Sequence, residues 1–511
     1  MAKLNRREFL GSVAGAAAGG IGAAWLASRL AGTCIAAAQS ASQPATGPRR
    51  LNILLITADD LNFDSLGLTG SKTPDVSPNI DRLAAEGMFF KRAHVTVAVC
   101  QPSRETLMTG RYPHRSGATG FYPVRKEVPT LMESLQAAGY MQGILGKVKH
   151  LAPPEKFPWD FQHDQAELGM GRSPAIYYKY AREFFGNARQ AGKPFFLMAN
   201  SHDPHRPWAG SYAEKSQNAT RGAASMPDAK AGELPKGVYP PASRYYRPDE
   251  VAIPGFLPDL PQVRQDVAEY YSSAHRCDET VGAVLRALKE SGLEGDTLVM
   301  FLSDNGISMP FAKSNCYLAS THTPWIVRWP GKVAPGGVNE EDFISGIDFM
   351  PTILQAAGLA LPDGMDGRSF MPLLSGGRQD KRDHVFTVYN DTSGKRSYPM
   401  RCLQTARFGY IYNAWSDGKA AYVVESSDSP TVKAMRLSAA TQKAMAERVE
   451  LLDHRVPEEL YDLQADPDAL HNLIADGAHK EQAAKMRQYL LAWMESTADP
   501  LLEAYRKQVK Q

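Results

Sequence analysis

Residues 51–60 read Leu-Asn-Ile-Leu-Leu-Ile-Thr-Ala-Asp-Asp. The run Leu51–Ala58 is almost wholly apolar and carries β-branched side chains, as a strand covered on both faces of a parallel sheet requires. It stops at two acids, Asp59 and Asp60. The carboxyl ends of such strands are where α/β proteins place ligand-binding groups. Outward from there, a helix is expected over Pro78–Glu86 with Gly87 as its C-cap. A second helix, Thr130–Ala138, is stopped by Gly139, and Met141–Leu145 is the next strand. Pro194–Asn200 is read as a further strand leading into Ser201-His202-Asp203-Pro204-His205. A long helix near Val267–Glu290 keeps Val281, Val284, Leu285 and Leu288 on one face and ends at Gly292. The strand Thr297–Ser303 follows and ends in Asp304-Asn305-Gly306. Alternating strands and helices predict an α/β sandwich around a mostly parallel sheet.

Pro207–Pro261 is rich in Pro, Gly and Ser without a period, and is read as a long loop, either a pocket wall or a surface insertion. Beyond the polar stretch Gly376–Asp383 come short strands, His384–Tyr389 and Phe408–Tyr412, and a closing helix, His479–Glu495. That pattern suits a smaller α+β part with an antiparallel sheet. The division expected is a signal segment over 1–38, a linker over 39–50, a large catalytic part over 51–380 and a C-terminal part over 381–511.

Of 511 residues, 43% are hydrophobic and 22% charged, enough for a sizeable core. The 57 basic and 55 acidic residues leave a net charge of +2, so nothing points to nucleic acid or a membrane surface, and an anionic ligand must be held by local cations. Five cysteines (Cys34, Cys100, Cys277, Cys316 and Cys402) show no CxxC, which argues against a zinc cluster or a disulfide framework. A pair among Cys277, Cys316 and Cys402 stays open. The N-terminus carries Asn5-Arg6-Arg7-Glu8-Phe9-Leu10, a Gly/Ala-rich apolar stretch and a small-residue cleavage site at Ala36-Ala37-Ala38. This is a twin-arginine export pattern, and a chain exported to the periplasm or beyond by the twin-arginine translocase is expected. The alternatives are a membrane anchor, weakened by Arg29 and the glycines, and a lipoprotein through Cys34, which Ala31-Gly32-Thr33 fits poorly.

The densest chemistry is Cys100-Gln101-Pro102-Ser103-Arg104, continued by Thr106-Leu107-Met108-Thr109-Gly110-Arg111. Pro102 favours the first turn of a helix, so Cys100 would sit where helix N–H groups favour an anion, with the Arg104 fork one turn on. Asp59, Asp60, Asp304 and Asn305 form a second group. Their all-oxygen donor atoms suit a hard divalent cation; the competing reading is that each caps a strand-to-helix turn. Lys147, His150, His205 and Lys313 form a cationic set suited to holding an anion, and His205 suits proton transfer because imidazole titrates near neutrality. Lys149 competes with Lys147 for the same duty.

These residues resemble the type I sulfatase family. The likeness covers about residues 50 to 500 and includes Asp59-Asp60, Ser77-Pro78-Asn79-Ile80-Asp81, the Cys100 signature, Gly146-Lys147, Ser303-Asp304-Asn305-Gly306, Glu459-Leu460-Tyr461-Asp462-Leu463 and Asp466-Pro467. It implies an alkaline-phosphatase-like fold. It also implies that a formylglycine-generating enzyme oxidises Cys100 to formylglycine. One calcium ion would be held by Asp59, Asp60, Asp304, Asn305 and the oxygen of residue 100. The aldehyde hydrate would attack sulfur with one hydroxyl to give a sulfated enzyme, and would expel sulfate by losing the proton of the other. Arg104, Lys147, His150, His205 and Lys313 would then serve catalysis, with His205 protonating the leaving group.

Within the family, Ser201-His202-Asp203-Pro204-His205-Arg206, Ser397-Tyr398-Pro399-Met400-Arg401 and Ser429-Pro430-Thr431 are similar to segments of the heparan sulfamidase group. A sulfated amino sugar of heparan is the substrate this implies, with Asp203, Arg206 and Arg401 contacting the sugar. Arg401 could instead clamp the smaller part to the larger. The chain departs from many sulfatases in spacing Lys147 and His150 as Lys-x-x-His, a spacing that iduronate-sulfatase-like members share, and in having Ala469 near where a Glu is frequent. The alternatives are an O-sulfatase of the iduronate-2-sulfatase or arylsulfatase kind, a phosphonate or phosphodiester hydrolase of the same superfamily, and a glycan-binding protein that is never activated. Because twin-arginine export carries folded chains, oxidation of Cys100 is expected to precede transport.

Overall fold

Asn52–Ala58 (β1) is the strand that the apolar run predicts, and all seven of its residues are buried. Its side chains part to two sides: Leu54, Ile56 and Ala58 enter one apolar cluster, Ile53 and Leu55 another. The computed structural model describes residues 50–221 and 235–510; the expected signal segment lies outside them.

Seven more strands complete the main sheet: Met88–Phe90 (β2), Met141–Leu145 (β3), Phe161–His163 (β4), Phe195–Asn200 (β5), Thr297–Ser303 (β6), Trp325–Arg328 (β7) and Gly337–Asn339 (β8). Their order is β4-β3-β5-β1-β6-β7-β2-β8, and β7 alone runs against the others. In chain order, the helices that matter here are Pro78–Ala85 (α1), Cys100–Thr109 (α2), Leu131–Ala137 (α3), Pro174–Ala191 (α4), Tyr212–Thr220 (α5), Pro261–Glu290 (α6) and Phe349–Ala356 (α7). α1, α4 and α6 cover the face that Leu54 and Ile56 enter, while α2, α3 and α7 cover the Ile53 and Leu55 face. The fold is thus an α/β sandwich with a mostly parallel mixed sheet, the architecture that the sulfatase resemblance implies.

Local chemistry explains most element ends. Thr130 caps α3 by accepting from the Glu133 backbone N–H while the Glu133 side chain returns to the Thr130 N–H, and Gly139 follows at φ +80°. Gly87 differs from expectation: its φ is not left-handed, and it is needed for room, since a Cβ there would lie 2.4 Å from the Val327 carbonyl oxygen of β7. The expected loop Pro207–Pro261 also differs. Ser211, accepting from the Glu214 N–H, caps α5 inside it, a capping pattern that composition concealed. α6 begins at Pro261, before Val267, with proline in its first turn.

A second, antiparallel sheet follows in the order β9 (His384–Asp391), β10 (Ser397–Thr405), β11 (Phe408–Asn413) and β12 (Glu458–Asp462). β9 bulges between Tyr389 and Asp391, opposite the part of β10 where Pro399 has no N–H to give. Val388, Tyr389, Met400, Leu403 and Tyr410 share one apolar cluster with Leu54 and Ile56. The change of pattern at Gly376–Asp383 therefore marks a change of sheet within one compact unit of the described residues. Cys100, Cys277, Cys316 and Cys402 are all free thiols.

Candidate active site

Sheet register assembles the site. Ala58 of β1 pairs with Ser303 of β6, Thr57 with Asn200 of β5, and Leu145 of β3 with Ala199. The residues just past these strands, Asp59-Asp60, Asp304-Asn305, His202 to His205 and Gly146-Lys147, consequently emerge side by side at one carboxyl edge. Asp60 and Lys147 both hold left-handed backbone, φ 69° and 57°, which turns each side chain back over the edge. Such conformations persist in non-glycine residues only where surrounding contacts enforce them.

α2 starts at Cys100, just after Val99 in extended backbone, so Cys100 occupies the first helical position. It is 3% exposed, and its thiol donates to Asp59 Oδ1 at 3.2 Å. Burial, followed by the Asp59 charge, pushes this thiol well up, so the unmodified side chain is a neutral thiol and a poor nucleophile. Arg104, one turn on, is fully buried beneath the edge. Its Nη2 donates to Asp304 Oδ2 at 2.6 Å, and its Nη1 donates to Asn200 Oδ1 at 2.6 Å and Thr57 Oγ1 at 2.7 Å.

The four oxygen-bearing side chains meet. Asp304 Oδ1 accepts from the Asp60 N–H at 3.1 Å, and Asn305 Nδ2 donates to Asp60 Oδ1 at 2.7 Å. Ligand atoms of Asp59, Asp60, Cys100 and His205 lie within 4.8 Å of one another. Asn305 Oδ1 is buried with no hydrogen-bond partner among the described residues. Burial would raise the Asp59 carboxyl, but Lys147, His205, Arg104 and Lys313 hold it well below the usual range. Asp304 is pushed up to about 7, by burial and then, against Arg104, by the neighbouring Asp59 and Asp60. Crowded buried carboxylates beside an orphaned amide oxygen fit a hard divalent cation.

A cavity of about 440 Å³ opens over Cys100, walled by Phe121, Lys147, His150, His205, Arg206, Lys313 and Glu425 among others. Lys147 pairs with Asp59 Oδ2, and Lys313 Nζ lies 2.8 Å from Asp60 Oδ1 and 2.9 Å from its Oδ2. Lys149 is exposed and does not line the cavity. His150 is kept neutral by burial and then by Lys147 and Arg104. His205 Nδ1 donates to the Arg206 carbonyl at 2.6 Å, which leaves Nε2 facing Glu425 Oε1 at 3.5 Å and Asp60 Oδ2 at 3.9 Å. Arg206 stacks on Trp208 with its guanidinium carbon 3.5 Å from the ring centre.

Two expected sugar contacts sit elsewhere. Asp203 is fully buried behind the cavity, spent on Arg172 Nε at 3.0 Å and Arg276 Nε at 2.7 Å. Arg401 is 1% exposed and bound to Asp499 and to Asn390 Oδ1 at 2.9 Å, away from the cavity wall. Since Asp499 Oδ2 also lies 3.7 Å from His114 Nδ1, Arg401 serves the contact between the second sheet and the main body. Sequence reading passed over Asn200, which joins β5 to the Gly146 turn through its Nδ2, and His202, whose Nε2 accepts the Lys147 N–H at 3.2 Å. It also passed over Glu425, although the Ser429-Pro430-Thr431 segment lies just beyond.

This geometry has known counterparts. The sulfatase family matches residues 51–359, and the C-terminal region of N-sulphoglucosamine sulphohydrolase matches residues 308–430. The human N-sulphoglucosamine sulphohydrolase is 31% identical over 88% of this chain and 91% of its own length. An ulvan-active sulfatase of Formosa agariphila is 27% identical over 88% of this chain and 81% of its own. The solved structure of BT4656 in complex with its substrate D-glucosamine-2-N,6-O-disulfate superposes with a TM-score of 0.65 at 19% identity, over 88% of this chain and 99% of that one. Fold and matches together define a hydrolase acting on sulfate esters or sulfamates. The chain belongs to the sulfatase family and carries the C-terminal region of its N-sulphoglucosamine sulphohydrolase branch.

Proposed function

We propose that this protein removes the N-linked sulfate of glucosamine in a heparan-type saccharide. The observation that carries the reaction class is the gathering of Asp59 and Asp60 beside Cys100 at the first turn of α2, with Asp304 and Asn305 hydrogen-bonded to Asp60, under a cationic cavity. The 31% likeness to the human N-sulphoglucosamine sulphohydrolase and the matching C-terminal region favour the sulfamate over an O-sulfate.

Asp59, Asp60, Asp304, Asn305 and residue 100 would hold a calcium ion, which supplies Lewis-acid polarisation of a sulfate oxygen. Cys100 oxidised to formylglycine would supply a hydrated aldehyde as nucleophile. The remaining work falls to fixed side chains. Lys147 and Lys313 neutralise the sulfate oxygens, and the first-turn N–H groups of α2 face the same anion. His205, with Nδ1 committed to the Arg206 carbonyl, presents Nε2 to the leaving nitrogen and delivers its proton there. Arg206 stands at the cavity wall on its Trp208 platform, suited to a carboxylate or sulfate of the adjoining sugar. Activation requires a formylglycine-generating enzyme, and the twin-arginine segment at Arg6-Arg7 fits export of the finished enzyme to the periplasm or beyond.

The test is a parallel assay on N-sulfoglucosamine, an O-sulfated glucosamine, an aryl sulfate and an aryl phosphodiester, with protein made beside a formylglycine-generating enzyme. Hydrolysis of N-sulfoglucosamine above the others is expected, together with a residue-100 peptide about 18 Da lighter than the cysteine form. Preference for the phosphodiester, or full activity with residue 100 entirely cysteine, would sink the proposal.

A further inference from the structure

The wall of the Cys100 cavity is cationic: Lys147, Arg172, Arg206, Arg221 and Lys313 all border it. Among its described lining residues one carboxylate faces in, that of Glu425. It arrives from the second-sheet side of the chain, on the short turn Glu425–Asp428 that leads into helix α8 (Pro430–Ala439). That turn is fixed. Ser429 caps α8 through the Val432 N–H at 3.2 Å, and Thr431 Oγ1 donates to Asp266 Oδ2 of α6 at 2.8 Å. Glu425 Oε2 lies 3.0 Å from Lys313 Nζ, and Oε1 lies 3.5 Å from His205 Nε2, yet the side chain remains 39% exposed to the cavity.

A negative charge here works against every anion that enters. Lys313 does not require it, because both oxygens of Asp60 already stand within 2.9 Å of its ammonium. Beyond its contacts with Lys313 and His205, the charge gains from a ligand when that ligand brings a positive group or an N–H to the same place. Cleavage of a sulfamate does this and cleavage of an ester does not. When the S–N bond breaks, nitrogen keeps the electron pair and takes protons, so sulfamate and one water give an ammonium and sulfate dianion; an ester gives a neutral alcohol. We propose that Glu425 is the residue that selects S–N over S–O substrates, by pairing with the nitrogen as it gains protons and with the free amino sugar that results. This rests on the sulfamidase reading above.

The experiment compares the wild type with Glu425→Gln and Glu425→Asp on N-sulfoglucosamine and on an aryl sulfate, and measures inhibition by glucosamine and by N-acetylglucosamine. In Glu425→Gln the ratio of kcat/KM on N-sulfoglucosamine to that on the aryl sulfate is expected to fall about tenfold or more, as for loss of one charge-assisted contact. Inhibition by glucosamine weakens by a similar factor relative to N-acetylglucosamine, and Glu425→Asp restores much of both. An equal loss on both substrates would reduce Glu425 to a prop for Lys313 and overturn the assignment, as would unchanged glucosamine inhibition. A wild type inert toward N-sulfoglucosamine would overturn the functional reading and this assignment together, whereas an active wild type with an unchanged ratio overturns this assignment alone.

Discussion

Arg104 Nη2 lies 2.6 Å from Asp304 Oδ2, and neither side chain reaches solvent. A buried pair is costly to break, because the carboxyl left behind must stay charged without water or take up a proton and lose its donors. Arg104→Ala is expected to lower unfolding free energy by about 3–5 kcal/mol in urea titrations. Arg104→Lys should keep much of that stability yet still cost activity, since one ammonium cannot reach Asp304, Asn200 and Thr57 together.

The oxygen cluster predicts calcium-linked stability. Chelator-treated protein should melt at a lower temperature and lose activity, and calcium should restore both. A ligand at a hundred times its Kd adds about 2.7 kcal/mol. Differential scanning fluorimetry checks this, and Asp59→Asn should abolish the calcium response. A melting curve indifferent to chelator and calcium would remove the metal from the proposal.

Gly146 holds φ +73°, and a Cβ there would lie 2.6 Å from the Asn200 carbonyl oxygen. Neither can give way, because both belong to the edge that sets Lys147. Gly146→Ala should destabilise by about 1–3 kcal/mol and reduce kcat/KM by about tenfold or more through a displaced Lys147.

Asp278 of α6 accepts from the Asn79 and Ile80 N–H groups at the start of α1, at 2.9 and 2.8 Å. Burial outweighs these bonds and pushes its carboxyl up to about 6. A carboxyl raised in the folded state favours folding while protonated, so its contribution is full below about pH 4 and is lost as pH rises through 6. Between pH 4 and 7 the stability of the wild type relative to Asp278→Asn should drop by about 2 kcal/mol. Parallel denaturant titrations at several pH values read this directly, and a pH-independent difference would refute it.

The main sheet was legible because a strand buried on both faces must be largely apolar, and β1, β3, β5 and β6 are, with polar residues such as Asn52, Gln142, Asn200 and Ser303 the exceptions. The metal-type acids were legible for the same reason: each pair stands where such a run stops. β10 hid because Pro399 and Arg401 interrupt its pattern, and only the bulge opposite and the burial of Arg401 against Asp499 reconcile them with a strand. Asp203 is named a sugar contact by its place in the sulfamidase-like segment with His205 and Arg206, which do line the cavity; the turn after β5 sends its carboxylate back toward Arg172 and Arg276 instead. Glu425 was beyond reach for a plainer reason. Its closeness to Lys313 joins segments more than a hundred residues apart, and no local pattern encodes that.

Residue 100 sits at the head of α2 on the floor of its cavity, 3% exposed with Asp59 against its sulfur. The oxidation proposed for that side chain would need slack backbone around it, and the first turn of a buried helix offers little. On the proposed function, each copy would therefore be armed or left inert before it folds, and treating a purified, folded sample with the activating enzyme would not change its activity. Turnover per milligram would then count the armed fraction, and two batches of one sequence would differ in activity with identical folds.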